Sequence, residues 1–402
     1  MDKNNKKITD KFNLKEVIIL IVVTALASLL TGFAITNRIL EDKYKHSNEN
    51  STIMDTFIKN YNYIINNYYG EIDENKLLDA ALEGVLEALD DPYTTYIDKT
   101  EVNNFNIQLE GSYQGLGVEI YKSNNNELTI LTVFDNSPAA KAGLKPGDIF
   151  LKLNGEAVTN LTSQEFSEKI KNSVDNKITL MVKRETAEIE VEVEINQVTL
   201  TSAVAKIIEE DNKKIGYLGI SIFANNTFIQ VKEKLKELES KGIDSLIIDV
   251  RSNTGGHLTS VENILGLFLD SSHIIYKTKD NDQIETVYSS GKITKSYPIV
   301  IITNEISASA SEILTATLKE EYGAKSVGKK TYGKGSAQEL RTLPDGTQYK
   351  FTTKKWLTPK GNSIDGVGVD VDLSVEFDSA YYQDPTDKND TQLQAAIKMI
   401  KE

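Results

Sequence analysis

Ser309 stands where a serine hydroxyl could act as a nucleophile. A short apolar strand comes before it, and residues 309–321 show the apolar spacing of a helix. The hydroxyl would therefore face the positive end of the helix dipole and the free N–H of Ala310, an arrangement that suits acyl transfer. A helix cap is the commoner role of serine at such a position, and Ser307 and Ser311 could fill that role as well.

Lys334 is one of few residues that could serve as the base that such a serine requires. It lies between Gly333 and Gly335 in the sequence TYGKGSAQ. A lysine accepts a proton near neutral pH only when its surroundings lower its pKa. Gln338 could orient the amine if the chain turns here, because four residues of extended strand would separate the two side chains by about 13 Å. A solvated loop is the commoner role of Gly-Lys-Gly.

Histidine is the alternative base, and the chain has three histidines, at positions 46, 257 and 273. His257 follows Gly256, so it could form a triad with Ser309 and Asp249. In that case the same short turn would supply both the base and the oxyanion donors from adjacent residues, which is cramped. The triad is therefore the less favoured arrangement.

A second junction of strand and helix supplies candidate oxyanion donors. Residues 245–250 form an apolar strand, Gly255 and Gly256 follow it, and residues 258–269 show helical spacing. A glycine pair in this position leaves backbone N–H groups unpaired, which suits a developing oxyanion. A phosphate-binding turn or a plain tight connection is an equally good interpretation of the spacing.

Residues 111–183 alternate short apolar stretches with turns, as small β-rich modules do. The module resembles a PDZ domain in the loop YQGLGV at 113–118 and in the sequence SPAAKAGLKPGDI at 137–149. In PDZ domains, backbone N–H groups of such a loop bind the terminal carboxylate of a peptide that adds as a strand to the sheet edge. The resemblance assigns this role to Gly115, Leu116, Gly117 and Val118.

Residues 17–36 form a nearly uncharged apolar run of about twenty residues, long enough as a helix to cross a bilayer. Lysines dominate before the run, whereas basic and acidic residues are mixed after it. This imbalance predicts a single transmembrane helix with a cytoplasmic N-terminus and the rest of the chain outside the cytoplasm. A cleaved signal peptide is the alternative, but its small-residue site at 25–27 lies inside the apolar run.

Helical stripes of apolar residues occur at 51–89, with a break near Gly70, and at 391–400. The stripes either pack on their own core or join two copies of the chain, so a homodimer is a hypothesis. The formal net charge of −14, without a basic block, argues against nucleic acid as a partner. The absence of cysteine excludes thiol nucleophiles, thiolate metal sites and disulfides.

Four motifs together resemble those of the carboxyl-terminal processing proteases, also called tail-specific proteases. They are LDDPYTTY at 89–96, IIDVRSNTGG at 247–256, SASASE at 307–312 and TYGKGSAQ at 331–338. The resemblance implies a serine endopeptidase with Ser309 as nucleophile, Lys334 as general base and Gln338 as the residue that positions the lysine. It implies no cofactor and no metal.

The resemblance also implies that the oxyanion donors are the N–H groups of Ala310 and of Gly255 or Gly256. Such enzymes cleave near the C-termini of unfolded or loosely folded proteins, here extracytoplasmic ones, and the substrate C-terminus gates the site through the PDZ domain. The alternative is an inactive, membrane-anchored PDZ scaffold. Every expected catalytic position is occupied by the expected residue type, which weakens this alternative.

The predicted architecture is a multidomain chain of α+β and α/β parts, with a PDZ domain inserted before an α/β, crotonase-like protease core. The predicted segments are a cytoplasmic tail (1–16), a transmembrane anchor (17–37), a helical segment (38–104), the PDZ domain (105–186), the protease core (187–380) and a C-terminal helical tail (381–402).

Overall fold

The computed structural model describes residues 52–123, 125–173, 176–280 and 283–401. The predicted anchor at 17–36 lies outside these residues. Within the described ranges, no helix is both long enough and apolar enough to span a bilayer. The chain divides into two compact units at Gly84.

Nine α-helices lie in the described part of the chain. They are α1 (52–67), α2 (Glu74–Glu87), α3 (Lys99–Glu110), α4 (Pro138–Lys141), α5 (Ser163–Lys171), α6 (Thr227–Ser240), α7 (Leu258–Leu265), α8 (Ala310–Thr317) and α9 (Thr391–Lys401). The break predicted near Gly70 is confirmed, since it separates α1 from α2. A π-helical turn, Leu318–Tyr322, extends α8.

The strands of the described residues form four sheets. They are β1 (Thr95–Ile97), β2 (Ser112–Gly115), β3 (Val118–Lys122), β4 (Leu128–Val133), β5 (Ile149–Leu153), β6 (Glu156–Ala157), β7 (Lys177–Arg184), β8 (Ala187–Glu194), β9 (Asn196–Thr199), β10 (Ala203–Glu210), β11 (Lys213–Ile220), β12 (Ser245–Asp249), β13 (Ile274–Asp280), β14 (Gln283–Tyr288), β15 (Ile299–Thr303), β16 (Lys325–Gly328), β17 (Ser336–Thr342), β18 (Gln348–Leu357) and β19 (Leu373–Ser374).

The β-rich module is an antiparallel sheet in the order β3-β4-β5-β7-β8, with β6 paired to β5. Helix α5 packs on it through Phe166, whose ring centroid lies 4.7 Å from that of Phe150. A capping box between Thr162 and Glu165 begins this helix. The sheet runs past the predicted boundary at 186, because β8 forms a hairpin with β7.

The central sheet of the core has the order β10-β11-β12-β15-β16-β19. Strand β10 is antiparallel to β11, and the other neighbours are parallel. Alternate residues of β12 serve opposite faces: Leu246 and Ile248 pack with α6, α7 and α8, whereas Ile247 packs with α9. Burial on both faces explains the unbroken apolar runs at β12 and β15.

Helix α9 closes the second face of the central sheet. Its residues Leu393, Ala396 and Ile397 are buried against Ile247 and Val300 of the sheet. The apolar stripe of α9 is therefore satisfied within the chain. The stripe therefore gives no support to a dimer contact through α9.

Another of the four sheets contains β17, the strand that follows Lys334 in the lysine motif. Its strand order is β1-β18-β13-β14. Strand β17 pairs with the edge of β18 that is opposite to β1 and β13. The LDDPYTTY motif at 89–96, here called the entry motif, ends in β1, which pairs with β18 through Thr95 and Lys350. The residues after Lys334 form β17, so β18 brings the entry motif and the lysine motif into one sheet.

Candidate active site

Asn253 organises the turn that follows β12. The residue is fully buried, and its side chain donates to the carbonyl of Ile220 at 2.9 Å and accepts the N–H of Gly255 at 2.9 Å. Its own carbonyl accepts the N–H of Ala308 at 3.0 Å and the hydroxyl of Ser311 at 2.8 Å. One asparagine thus joins the end of β11, the glycine turn and the serine motif.

The glycine turn lies against the nucleophile motif. Gly255 has φ 106°, and a Cβ added there would lie 2.8 Å from the Cβ of Ser309. A second link joins the same two turns, because the N–H of Ser252 donates to Asn304 Oδ1 at 2.8 Å. The two strand–helix junctions singled out by the sequence are therefore in direct contact.

Ser309 is the residue before α8, and its backbone adopts φ 54° and ψ −114°. These angles belong to the region that glycine prefers, so the serine is held there against its own preference. The side chain is partly exposed at the mouth of the helix. Neighbouring Ile306 and Tyr332 are 51% and 56% exposed, so the approach to the serine has an apolar rim.

The structure distinguishes among the predicted oxyanion donors. The N–H of Gly255 is occupied, since it donates to Asn253 Oδ1 at 2.9 Å. Across the described residues, the N–H groups of Gly256 and Ala310 have no hydrogen-bond acceptor. Gly256 is held by a bridge to Phe223, whose N–H donates to the Gly255 carbonyl at 2.9 Å and whose carbonyl accepts the N–H of His257 at 2.7 Å. Gly256 and Ala310 therefore present the two available donors.

Glu312 joins the serine motif to the lysine motif. The residue is fully buried. Its Oε2 accepts the N–H of Ser309 at 2.8 Å and the N–H of Lys334 at 2.8 Å. Its Oε1 accepts the N–H of Gly333 at 2.7 Å and the hydroxyl of Thr331 at 2.6 Å. A single carboxylate oxygen thus fixes the backbone of the predicted nucleophile relative to that of the predicted base.

All four partners of Glu312 act as hydrogen-bond donors. Three are backbone N–H groups, and the Thr331 hydroxyl already accepts the N–H of Val369 at 2.7 Å, so its proton points to Glu312. Burial raises the pKa of Glu312, and these donors oppose that rise. The hydrogen-bond pattern is that of an ionised carboxylate. Glu312 is the last residue of the SASASE motif, but the sequence alone predicted no role for it.

The Lys334 side chain is largely removed from water. Its Nζ lies 5.0 Å from the ring centroid of Tyr93, a residue of the entry motif. Burial lowers the pKa of Lys334, and the positive charge of Lys350 lowers it further, whereas Asp91 and Glu312 act in the opposite direction. The net effect favours the free amine, which is the state that a general base requires.

Gln338 is not bonded to Lys334. Its Nε2 donates to Ser336 Oγ at 2.8 Å and to Thr352 Oγ1 at 3.2 Å. The pairing of β17 with β18 shifts register between Ala337 and Gln338, so Gln338 lies opposite Thr352. Within the described part of the chain, Gln338 Oε1 accepts no hydrogen bond, so an acceptor remains available near the lysine motif.

The alternative triad does not assemble. The Asp249 carboxylate accepts the Tyr217 hydroxyl at 2.8 Å and the Arg251 guanidinium at 2.6–3.1 Å. His257 Nε2 is buried and has no hydrogen-bond partner among the residues described. The histidine therefore lacks the carboxylate that a triad base requires.

A groove of about 650 Å³ lies beside the predicted carboxylate loop. Its walls are the loop Gly115, Leu116, Gly117 and Val118, helix α5, and also α3. The carbonyls of Leu116 and Gly117 accept the N–H groups of Ala139 and Phe134, both at 2.9 Å, and so point into the domain. Because N–H and C=O point in opposite directions across a trans peptide, the N–H groups of Gly117 and Val118 face away from the domain.

Comparisons with known proteins match three parts of this chain. The model of peptidase family S41 matches residues 214–375, that of the PDZ domain residues 114–195, and that of the activating protease CtpB N-terminal domain residues 25–101. The carboxy-terminal processing protease CtpB of Bacillus subtilis is 35% identical over 82% of this chain and 69% of its own length. A CtpA-like serine protease of Staphylococcus aureus is 32% identical over 89% of this chain and 71% of its own.

A solved S41 protease structure from Bacteroides fragilis shares the fold, with a TM-score of 0.50 at 16% identity over 83% of this chain and 98% of that one. The α/β core with a serine at a helix mouth, preceded by a PDZ domain, is the architecture of a serine-type peptidase. The chain belongs to peptidase family S41, among the carboxy-terminal processing proteases.

Proposed function

We propose that this peptidase uses Ser309 as nucleophile and Lys334 as general base to cut polypeptides whose free C-terminus binds in the PDZ groove. The observation that carries the proposal is Glu312 Oε2, which accepts the backbone N–H groups of both residues at 2.8 Å. The lowered pKa of Lys334 and the contact between the glycine turn and Ser309 support the same assignment.

In the first step, Lys334 Nζ takes the proton of the Ser309 hydroxyl as Oγ attacks the carbonyl carbon of the substrate. The carbonyl oxygen becomes an oxyanion, which the N–H groups of Gly256 and Ala310 would bind. The ammonium of Lys334 then gives its proton to the leaving amine as the C–N bond breaks. Water then hydrolyses the acyl-serine. Lys334 takes a proton from the attacking water and gives it to Ser309 Oγ as the acyl bond breaks.

We infer that Gln338 orients Lys334 when the groove is occupied, because its Oε1 is an available acceptor on the strand that follows the lysine. Helix α3 offers a route for such gating. One face lines the groove, and Phe105 of the same helix lies under Lys350, with the ammonium 5.7 Å from the ring centroid. Lys350 in turn acts electrostatically on Lys334. Movement of α3 would therefore reach the base.

The apolar run at 17–36 and the lysines before it support a single-pass membrane protein with the peptidase outside the cytoplasm. Substrates would then be unfolded or loosely folded extracytoplasmic proteins. The exposed apolar residues of α1, such as Phe57 and Ile64, support a homodimer through that helix.

Cleavage of an unstructured polypeptide by the full chain in detergent micelles tests the proposal. We expect cleavage near the free C-terminus, a marked decrease when that terminus is amidated, and covalent labelling of Ser309 by a fluorophosphonate. Labelling of another serine would refute the assignment of the nucleophile. Binding of the peptide without cleavage by the wild-type chain would favour the scaffold.

Lys350→Met should move the activity of the peptidase to higher pH. The ammonium of Lys350 disfavours a second positive charge on Lys334, so its removal raises the pKa of Lys334 and reduces the free amine at a given pH. Methionine retains the apolar stem over Phe105. The measurement is kcat/KM against pH, with Lys354→Met as the control on the same strand. An unchanged pH profile would show that Lys350 does not influence the base.

A further inference from the structure

Arg251 lies two residues after the end of β12. Its guanidinium is held between two carboxylates that are far apart in the sequence, those of Asp249 and Asp390. Its Nη2 donates to Asp249 Oδ2 at 2.6 Å and to Asp390 Oδ2 at 2.7 Å. Its Nη1 donates to Asp390 Oδ1 at 2.9 Å and to Gln392 Oε1 at 3.2 Å. The proposed mechanism uses neither the arginine nor these partners.

Asp390 is also the residue that immediately precedes α9. Its Oδ1 accepts the N–H of Leu393 at 2.9 Å, so the carboxylate caps the helix while both of its oxygens bind Arg251. The Phe377 ring covers the guanidinium, with 5.7 Å between Arg251 Cζ and the ring centroid. Arg251 and both carboxylates are largely buried. The N-terminus of α9 is thus docked on the residue that opens the glycine turn.

The turn between Arg251 and Gly256 is held by Asn253 and Asn304 on the side of the serine motif, and by Arg251 on the side of α9. Ser252 adopts φ 59°, and its N–H is held by Asn304. Asn253 holds Gly255. The direction in which the chain leaves β12 is fixed by Arg251, whose backbone N–H also donates to Asp249 Oδ1 at 3.0 Å. A shift of the guanidinium would therefore propagate to the Gly256 N–H.

We propose that Asp390 is a positioning residue for catalysis, acting through the bidentate pair with Arg251 to hold the Gly256 N–H where the oxyanion forms. This rests on the proposed function for the role of Gly256. The pair suits the task because two parallel bonds between a planar guanidinium and a carboxylate fix orientation as well as distance.

Asp390→Asn tests the proposal while preserving volume. The asparagine oxygen can still cap α9 at Leu393, but its NH₂ group would face a donor of Arg251 and break the bidentate pair. We expect kcat to fall about tenfold with KM unchanged, since a small displacement of a catalytic group reduces rate more than binding. Arg251→Lys should do the same, because lysine retains the charge but cannot bridge both carboxylates.

Lys401→Ala is the matched control. Lys401 anchors the other end of α9 through ion pairs to Glu210 and Asp211. Its loss should lower the melting temperature as Asp390→Asn does, but leave kcat unchanged. Equal loss of kcat in both variants would reduce the role of Asp390 to stability and overturn the proposal. Full Ser309-dependent activity in Asp390→Asn would also overturn it.

Amide hydrogen exchange of the full chain separates this inference from the proposed function. Asp390→Asn should speed exchange in residues 251–257, whereas Lys401→Ala should not. Unchanged exchange in that segment contradicts the inference whatever the activity. The wild-type chain could lack Ser309-dependent cleavage while Asp390→Asn still exchanges faster. That result would contradict only the assignment of the nucleophile, and the inferred link between Asp390 and the glycine turn would stand.

Discussion

Lys334→Ala should lose at least about a thousandfold in kcat, and Lys334→Arg should lose as much. Alanine removes the amine, whereas arginine retains a positive charge but does not release its proton in a protein. The wild-type rate should rise with pH as Lys334 deprotonates, over a range that burial places below the ordinary pKa of lysine. Both variants should lose this rise. The measurement is the steady-state cleavage of an unstructured polypeptide from pH 6 upward, with Ser309→Ala as the floor.

The one tryptophan of the chain provides the control for folding. Trp356 Nε1 donates to the backbone carbonyl of Lys334 at 2.9 Å, and this bond does not depend on the lysine side chain. Its fluorescence should therefore be the same in wild type, Lys334→Ala and Lys334→Arg. Lys334→Ala with native fluorescence and more than a tenth of the wild-type rate would show that another group accepts the serine proton.

Glu312→Gln should lower kcat about a hundredfold. The amide NH₂ would replace one carboxylate oxygen and face two donors, either those of Ser309 and Lys334 or those of Gly333 and Thr331. Buried donors left without an acceptor cost about 1–3 kcal/mol each, so the two motifs would move apart. The measurement is kcat and KM for the same polypeptide.

The pH profile separates displacement of the motifs from a change in the base. The negative charge of Glu312 raises the pKa of Lys334, so its removal lowers that pKa and increases the free amine at neutral pH. A fall in kcat together with a shift of the profile to lower pH would therefore identify a geometric loss. Glu262→Gln is the control, because within the described residues the Glu262 side chain accepts only the Tyr276 hydroxyl, which an amide oxygen can also accept. Wild-type kcat in Glu312→Gln would contradict the assigned role.

Much of the fold could be predicted from the sequence, because local patterns determine it. The apolar runs at 245–250 and 297–302 are the buried parallel strands β12 and β15, and the glycine turn and Ser309 follow them as expected. Parallel strands end at the same edge of a sheet, so their two loops had to lie close together. The PDZ loop was also predictable, because the residues that identify it lie within one short segment of the sequence.

The contacts that join the motifs could not be predicted. Glu312 reads as an ordinary acid in the first turn of a helix, and its partners at Gly333 and Lys334 come 21 and 22 residues later. Arg251 and Asp390 are 139 residues apart. Spacing gives no information about pairs brought together by the tertiary fold. The expected approach of Gln338 to Lys334 stays a prediction, because its amide nitrogen is bonded to Ser336 on the same strand and to Thr352 on β18.

The backbone of Ser309, at φ 54° and ψ −114°, has a consequence for how this protein evolves. A non-glycine residue in that region costs roughly 1–3 kcal/mol, which glycine would not incur. The most stable chain would therefore carry glycine where the chemistry needs a hydroxyl. A variant library sorted for folding alone should enrich glycine at position 309 and discard the enzyme's activity in doing so.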